Sequence, residues 1–205
     1  LLASALELQS QYEDFSKLLS RIIALKADNA MIATNQVTRT GTMLRYKLED
    51  LTDSATLAGQ ASLHTAISEI TTQLISAAAT VNTFAAKPDM AVAGGALARI
   101  TFIQKNFGFL SVEGDALKAK MTEITAMLES YRTSFAKLID NNKLVVGLGV
   151  DMNSSANAMI VSAGDMKSAL LADLDRIEKA SADAAKQTEQ IVGMMSVGQL
   201  ILTLL

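Results

Sequence analysis

The sequence is marked first by what is missing from it. Its 205 residues contain no cysteine and no tryptophan, a single proline (Pro88), a single histidine (His64) and only 4% aromatic residues. Without cysteine there is no disulfide and no thiolate metal site. One histidine excludes a histidine-rich metal site, and neither a metal nor a cofactor is expected. A net charge of -3 supplies no basic face, so nucleic acid is not an expected partner. Gly147-x-Gly149 has neither the third glycine nor the preceding strand of a phosphate loop. Ser154-Ser155 and the scattered carboxylates form no catalytic spacing, and the chain reads as a non-enzyme.

What is present points to helices. Half of the residues are hydrophobic and 19% are charged, which is the balance of a folded chain. Abundant Ala, Leu, Met, Ser and Thr with almost no proline favour an all-α fold. Apolar residues recur at steps of three and four from the start: Ala5, Leu8, Tyr12, Phe15, Leu19 and Ile22 make one stripe. Asp28-Asn29 is the expected stop of this first helix. A second, long helix is expected from Thr34 to Ala86, with Leu44, Leu48, Leu51, Leu63, Ile67, Ile70, Leu74, Val81 and Phe84 inward. Pro88 ends it. A short helix from Asp89 to about Asn106 follows, then a glycine-containing loop to Gly114. The next helix carries Leu117, Met121, Ile124, Leu128, Tyr131, Phe135 and Leu138 on its seam. Asp140-Asn141-Asn142 is the expected hairpin before a last long helix. Most of the ten methionines fall on seams, where their flexibility fills gaps.

The chain also repeats itself. Phe135-x-Lys137-Leu138-Ile139 answers Phe15-x-Lys17-Leu18-Leu19, with Tyr131 and Tyr12 just upstream. At nearly the same offset, Gly164-x-Met166 followed by Leu171-x-Asp173-Leu174 answers Gly41-x-Met43 followed by Leu48-x-Asp50-Leu51. Duplication of a short-short-long helical unit explains this order if one short helix, preceded by a membrane span, lies upstream of Leu1. From Ile191 to Leu205 no residue is charged. That run is shorter than the ~20 residues a bilayer needs. It is read as the beginning of a span, with Lys186 and Glu189 at the interface; the alternative is a buried terminal helix.

A tyrosine three or four residues before a phenylalanine (Tyr12 and Phe15, Tyr131 and Phe135), ahead of a hairpin and a long Ala/Met-rich helix, resembles the helical bimodular sensor domain of bacterial chemoreceptors (methyl-accepting chemotaxis proteins) and some sensor kinases. The resemblance implies long antiparallel helices forming two stacked four-helix bundles, here with the first helix missing. It implies a membrane-proximal bundle from residues 1–58 with 170–190, a membrane-distal one from 59–169, and an apolar tail at 191–205. It also implies periplasmic exposure, a homodimer, attachment to the membrane through flanking spans, and a small carboxylate ligand held between helices.

A carboxylate between helices needs a cation, preferably a guanidinium, with hydroxyl or amide partners. The candidates in the distal half are Arg99, Arg132, His64 and Thr71; those in the proximal half are Arg45 and Thr38. Lys26, in register with the first seam, is the other cation in an unexpected place. Two alternatives to an acid sensor stand beside it. One is a structural or translocator-type helical protein, and the other is a sensor kinase domain that reads a periplasmic partner protein.

Overall fold

The computed structural model describes residues 2–204, with side-chain surroundings as far as Ser196. Among the described residues every element is helical. The chain is all-α. Helix α1 (Leu2–Met31) runs through a π-helical segment (Ile32–Thr38) directly into α2 (Arg39–Leu57). Then come α3 (Ala61–Ala86), α4 (Met90–Gly108) and α5 (Asp115–Leu204).

The punctuation of the chain differs from expectation at three places. Asp28-Asn29 does not stop α1, and no new helix starts at Thr34. The first reversal instead follows Leu57, where Gly59 adopts φ +67. There the Gln60 N–H bonds the Ala55 carbonyl at 2.9 Å and the Gly59 N–H bonds that of Thr56 at 3.0 Å. Those paired bonds and the left-handed glycine form a Schellman cap, which closes off the last carbonyls of α2. Gly59, which falls inside the long helix expected from Thr34 to Ala86, is the terminator. At the third place, Asp140-Asn141-Asn142 forms no hairpin, because α5 passes through it. Its polar groups are spent on the helix and its neighbour. Asn141 is buried and donates to Asp28 at 2.9 Å, Asn142 donates to the Leu138 carbonyl at 2.8 Å, and Asp140 pairs with Lys143 at 3.1 Å. The other two reversals lie where the sequence places them. Lys87-Pro88 ends α3, and Asp89 caps α4 by accepting from the Ala91 N–H at 2.9 Å. Gly114, at φ +91, precedes α5.

The chain divides into two compact units, residues 19–150 and residues 1–18 with 151–205. The larger unit carries the core. Leu44, Leu48, Leu51 and Ala55 of α2 face Leu63, Ile67, Ile70, Leu74, Ala77, Val81 and Phe84 of α3. Ala93, Ala96, Ile100, Ile103 and Phe107 of α4 and Leu117, Ile124, Leu128, Tyr131, Phe135 and Leu138 of α5 complete it. These are the expected seams at steps of three and four, except that on α4 the inward residue is Ala93 and not the expected Val92, which is exposed. Residues 39–57, expected in the proximal half with 1–58, therefore belong to this four-helix core. Burying each large side chain contributes about 1.5–3 kcal/mol.

In the smaller unit the start of α1 meets α5, with Gln11 Nε2 donating to Ser162 Oγ at 3.0 Å. Leu8 and Phe15 are half-buried and Tyr12 is exposed. Leu170, Leu171, Leu174 and Ile177 are exposed as well, rather than packed in a second bundle core. Lys26 is exposed in mid-helix, not at a fraying end. By length and composition alone, one 18-residue window within Asp115–Ser196, at mean hydropathy 1.3, is apolar enough to cross a membrane. Ile191, Val192, Met194 and Met195 are exposed, and the side chains of residues 197–205 lie outside the described residues.

Candidate ligand-binding site

The polar cavity of the larger unit is built where α2 begins. Thr38, Gly41, Thr42 and Arg45 follow one another at helical spacing and therefore share a face. That face meets Leu74, Ile75, Ala78, Ala79 and Asn82 of α3, with Tyr131 of α5 between them, around a volume of about 300 Å³. Val37, fully buried like Ile32 in the π-helical segment, adds to the lining. A π-helix holds one residue more per segment than an α-helix needs, and such insertions recur at functional sites. Here the insertion sets the direction from which Val37 and Thr38 meet the cavity.

Gly41 stands at a close approach. A Cβ at this position would stand 3.2 Å from Cε2 of Tyr131 and 3.5 Å from its hydroxyl. The phenol ring thus lies flush against the backbone of α2, in the space a side chain would take. Tyr131 is 0% exposed, and its hydroxyl has no hydrogen-bond partner among the described residues. An orphaned hydroxyl of this kind costs about 1–3 kcal/mol. Burial pushes the Tyr131 phenol above its ordinary range, so it remains a neutral donor at physiological pH.

Polar groups gather at the rim. Thr38 Oγ1 donates to Asn82 Oδ1 at 3.4 Å, and Thr42 Oγ1 donates to the Thr38 carbonyl at 3.0 Å. The Arg45 guanidinium lies 4.9 Å above the Tyr46 ring, with Nε 3.6 Å from Glu49, a loose pair that leaves it facing solvent at the mouth. Hydroxyls, an amide and one guanidinium around an apolar floor suit a small acid with an apolar body.

Of the six residues singled out in the sequence, Arg45 and Thr38 are brought together in this cavity. The other four are not. Arg99 is exposed on α4 and donates to Ser76 Oγ at 3.1 Å, tying α4 to α3. His64 is exposed, and Thr71 returns its hydroxyl to the Ile67 carbonyl at 2.8 Å. Thr71 also faces Glu49 and Asp53 across a shallow depression whose acidic lining disfavours an anion. Arg132 is committed to Glu129, donating through Nη2 at 2.6 Å and Nε at 3.1 Å. Glu129 also accepts from Gln104 of α4 at 2.6 Å, so the cluster clamps α4 to α5. Sequence reasoning did not assign Tyr131, Gly41, Thr42 or Asn82 to a site. The one signal was a glycine placed in mid-helix, where it costs about 1 kcal/mol.

The clamp makes a pH-dependent contribution. Hydrogen bonds from Arg132, then Gln104, lower the Glu129 carboxyl from 4.5 to about 2. A carboxyl lowered on folding contributes stability that is full above 4.5 and is lost as pH falls from 4.5 towards 2. Melting temperature followed across that window should fall less steeply for Glu129→Gln than for the unaltered chain, the difference shrinking in high salt because the group is solvent-exposed. Parallel profiles at low salt would contradict the assignment.

A second concavity, of about 720 Å³, lies in the smaller unit. It is apolar, lined by Leu8, Tyr12, Phe15, Met159, Ile160 and Met166 among others. Among the described residues no three carboxylates or histidines gather as a metal site would require. Comparison with family models, curated proteins and solved structures finds no match to this chain.

Proposed function

We propose that this chain is the extracytoplasmic ligand-sensing domain of a transmembrane receptor of the chemoreceptor type. It binds a small organic acid in the cavity between α2, α3 and α5, and passes the signal along α5. The observation that carries this reading is the cavity itself: a guanidinium at its mouth, hydroxyls and an amide at its rim, and a buried, unsatisfied phenol at its floor. The two Tyr/Phe pairs, Tyr12 with Phe15 and Tyr131 with Phe135, and the uncharged run from Ile191 support the receptor context. In that context the domain lies in the periplasm and Ile191 begins the membrane span. The apolar groove of the smaller unit is then covered by a second copy, since exposed apolar patches of this kind mark association surfaces. Binding that favours one of two helix packings would move α5, as differential affinity requires.

A thermal-shift screen with a broad panel of small carboxylates tests the reading. An acid supplied at 100 times its Kd should stabilise the unaltered chain by about 2.7 kcal/mol. Arg45→Ala should abolish the shift without lowering the unliganded melting temperature, because Arg45 is exposed and only loosely paired. No response to any acid would overturn the reading.

A further inference from the structure

The Tyr131 hydroxyl has a use within this cavity, and the inference rests on the acid-binding reading above. Three facts converge on it. The side chain is fully buried, its oxygen has no partner among the described residues, and the ring lines the cavity with its edge against Gly41, where a Cβ would press on it. A core tyrosine that served only as packing would be better replaced by phenylalanine, because the hydroxyl costs desolvation and gains nothing.

The phenol and the cation are also spaced. Arg45 is one helical turn beyond Gly41, against which the phenol lies. Between them the walls are apolar: Leu74, Ile75, Ala78 and Ala79. The lining contains one cation and no carboxylate. A second carboxylate on the ligand would find no second cation in the lining.

We infer that the cavity selects a monocarboxylic acid bearing a neutral oxygen acceptor, a carbonyl or hydroxyl, further along its chain, and that Tyr131 is the residue that reads this acceptor. The carboxylate is held by Arg45 at the mouth, the aliphatic carbons lie on the apolar wall, and the Tyr131 O–H donates to the acceptor at the floor. Burial keeps the phenol protonated, as donation requires. A ligand without the acceptor fills the same space but leaves the hydroxyl orphaned.

The test is a calorimetric titration of the whole chain with two probes of matched length, levulinate (a γ-oxo acid) and valerate, which lacks the oxo group. The unaltered chain should bind levulinate about 10-fold more tightly than valerate, the factor that one neutral hydrogen bond to a buried donor supplies. Tyr131→Phe should bring the ratio to about 1. Its melting temperature should match or exceed that of the unaltered chain, showing that the fold is kept. Arg45→Ala should weaken both probes together. Equal affinity for the two acids in the unaltered chain, lost on Arg45→Ala, would overturn selection by Tyr131 and leave the acid site standing. So would a preference that survives Tyr131→Phe. If neither acid binds, both this inference and the acid-binding reading fall.

Discussion

Phe135→Ala is expected to lower the unfolding free energy by about 3–5 kcal/mol, the range for deleting a buried aromatic ring. Phe135 is 0% exposed and stands edge-to-face on Phe84, with ring centroids 5.5 Å apart and planes at 87°. That geometry places the positive edge of one ring on the negative face of the other and adds about 0.5–1.5 kcal/mol to simple burial. The pair joins α3 to α5, so its loss opens a cavity between helices distant in sequence, where collapse is hardest. Urea unfolding followed by circular dichroism measures the effect. Phe135→Leu, which keeps most of the volume, should cost clearly less. A loss below about 1 kcal/mol for Phe135→Ala would mean that the α3–α5 seam is not packed as described.

Lys143→Pro is expected to cost about 3 kcal/mol or more, because a proline inside a helix removes one backbone hydrogen bond and clashes with the carbonyl four residues earlier. The position is chosen for what it decides. If the chain reversed at Asp140-Asn141-Asn142, residue 143 would lie in the first turn of a new helix, where proline is well tolerated. In the continuous α5, it lies in mid-helix beside the buried Leu138 and Ile139. Lys143→Ala serves as the control, since the side chain is exposed and loses only its surface pair with Asp140. Equal melting temperatures for the Ala and Pro variants would restore the hairpin.

Much of the core was legible because it depends on a period. Leu63, Ile67, Ile70, Leu74, Val81 and Phe84 needed only the three-four spacing to be placed inward, and all are buried. Reversals were legible where one residue type enforces them, as Pro88 and Asp89 do. They were misread where the same residue has two uses. Gly59 reads alike as a costly interior glycine and as a cap, and only the backbone beyond it decides. Asn141 is a turn residue by composition, yet in the fold its amide meets Asp28, from a part of the chain more than a hundred residues earlier. The site was half-legible for a related reason. Arg45 and Thr38 announce themselves as cation and hydroxyl, whereas Tyr131 was counted as core, which it also is. Its unsatisfied oxygen is visible only once Gly41 is seen beside it.

The π-helical segment from Ile32 to Thr38 has a consequence for how the helix tolerates movement. An α-helix turns by about 100° per residue, so slipping one residue past its neighbours ordinarily swings every apolar side chain off its seam. A helix that already holds a surplus residue in one place has a slack turn. That turn can be taken up or released there, and the residues on either side then rotate against each other as two rigid screws. Val37 and Thr38, which line the cavity, belong to that slack turn. Val37 and Thr38 thus put the loosest turn of the helix at the wall of the cavity.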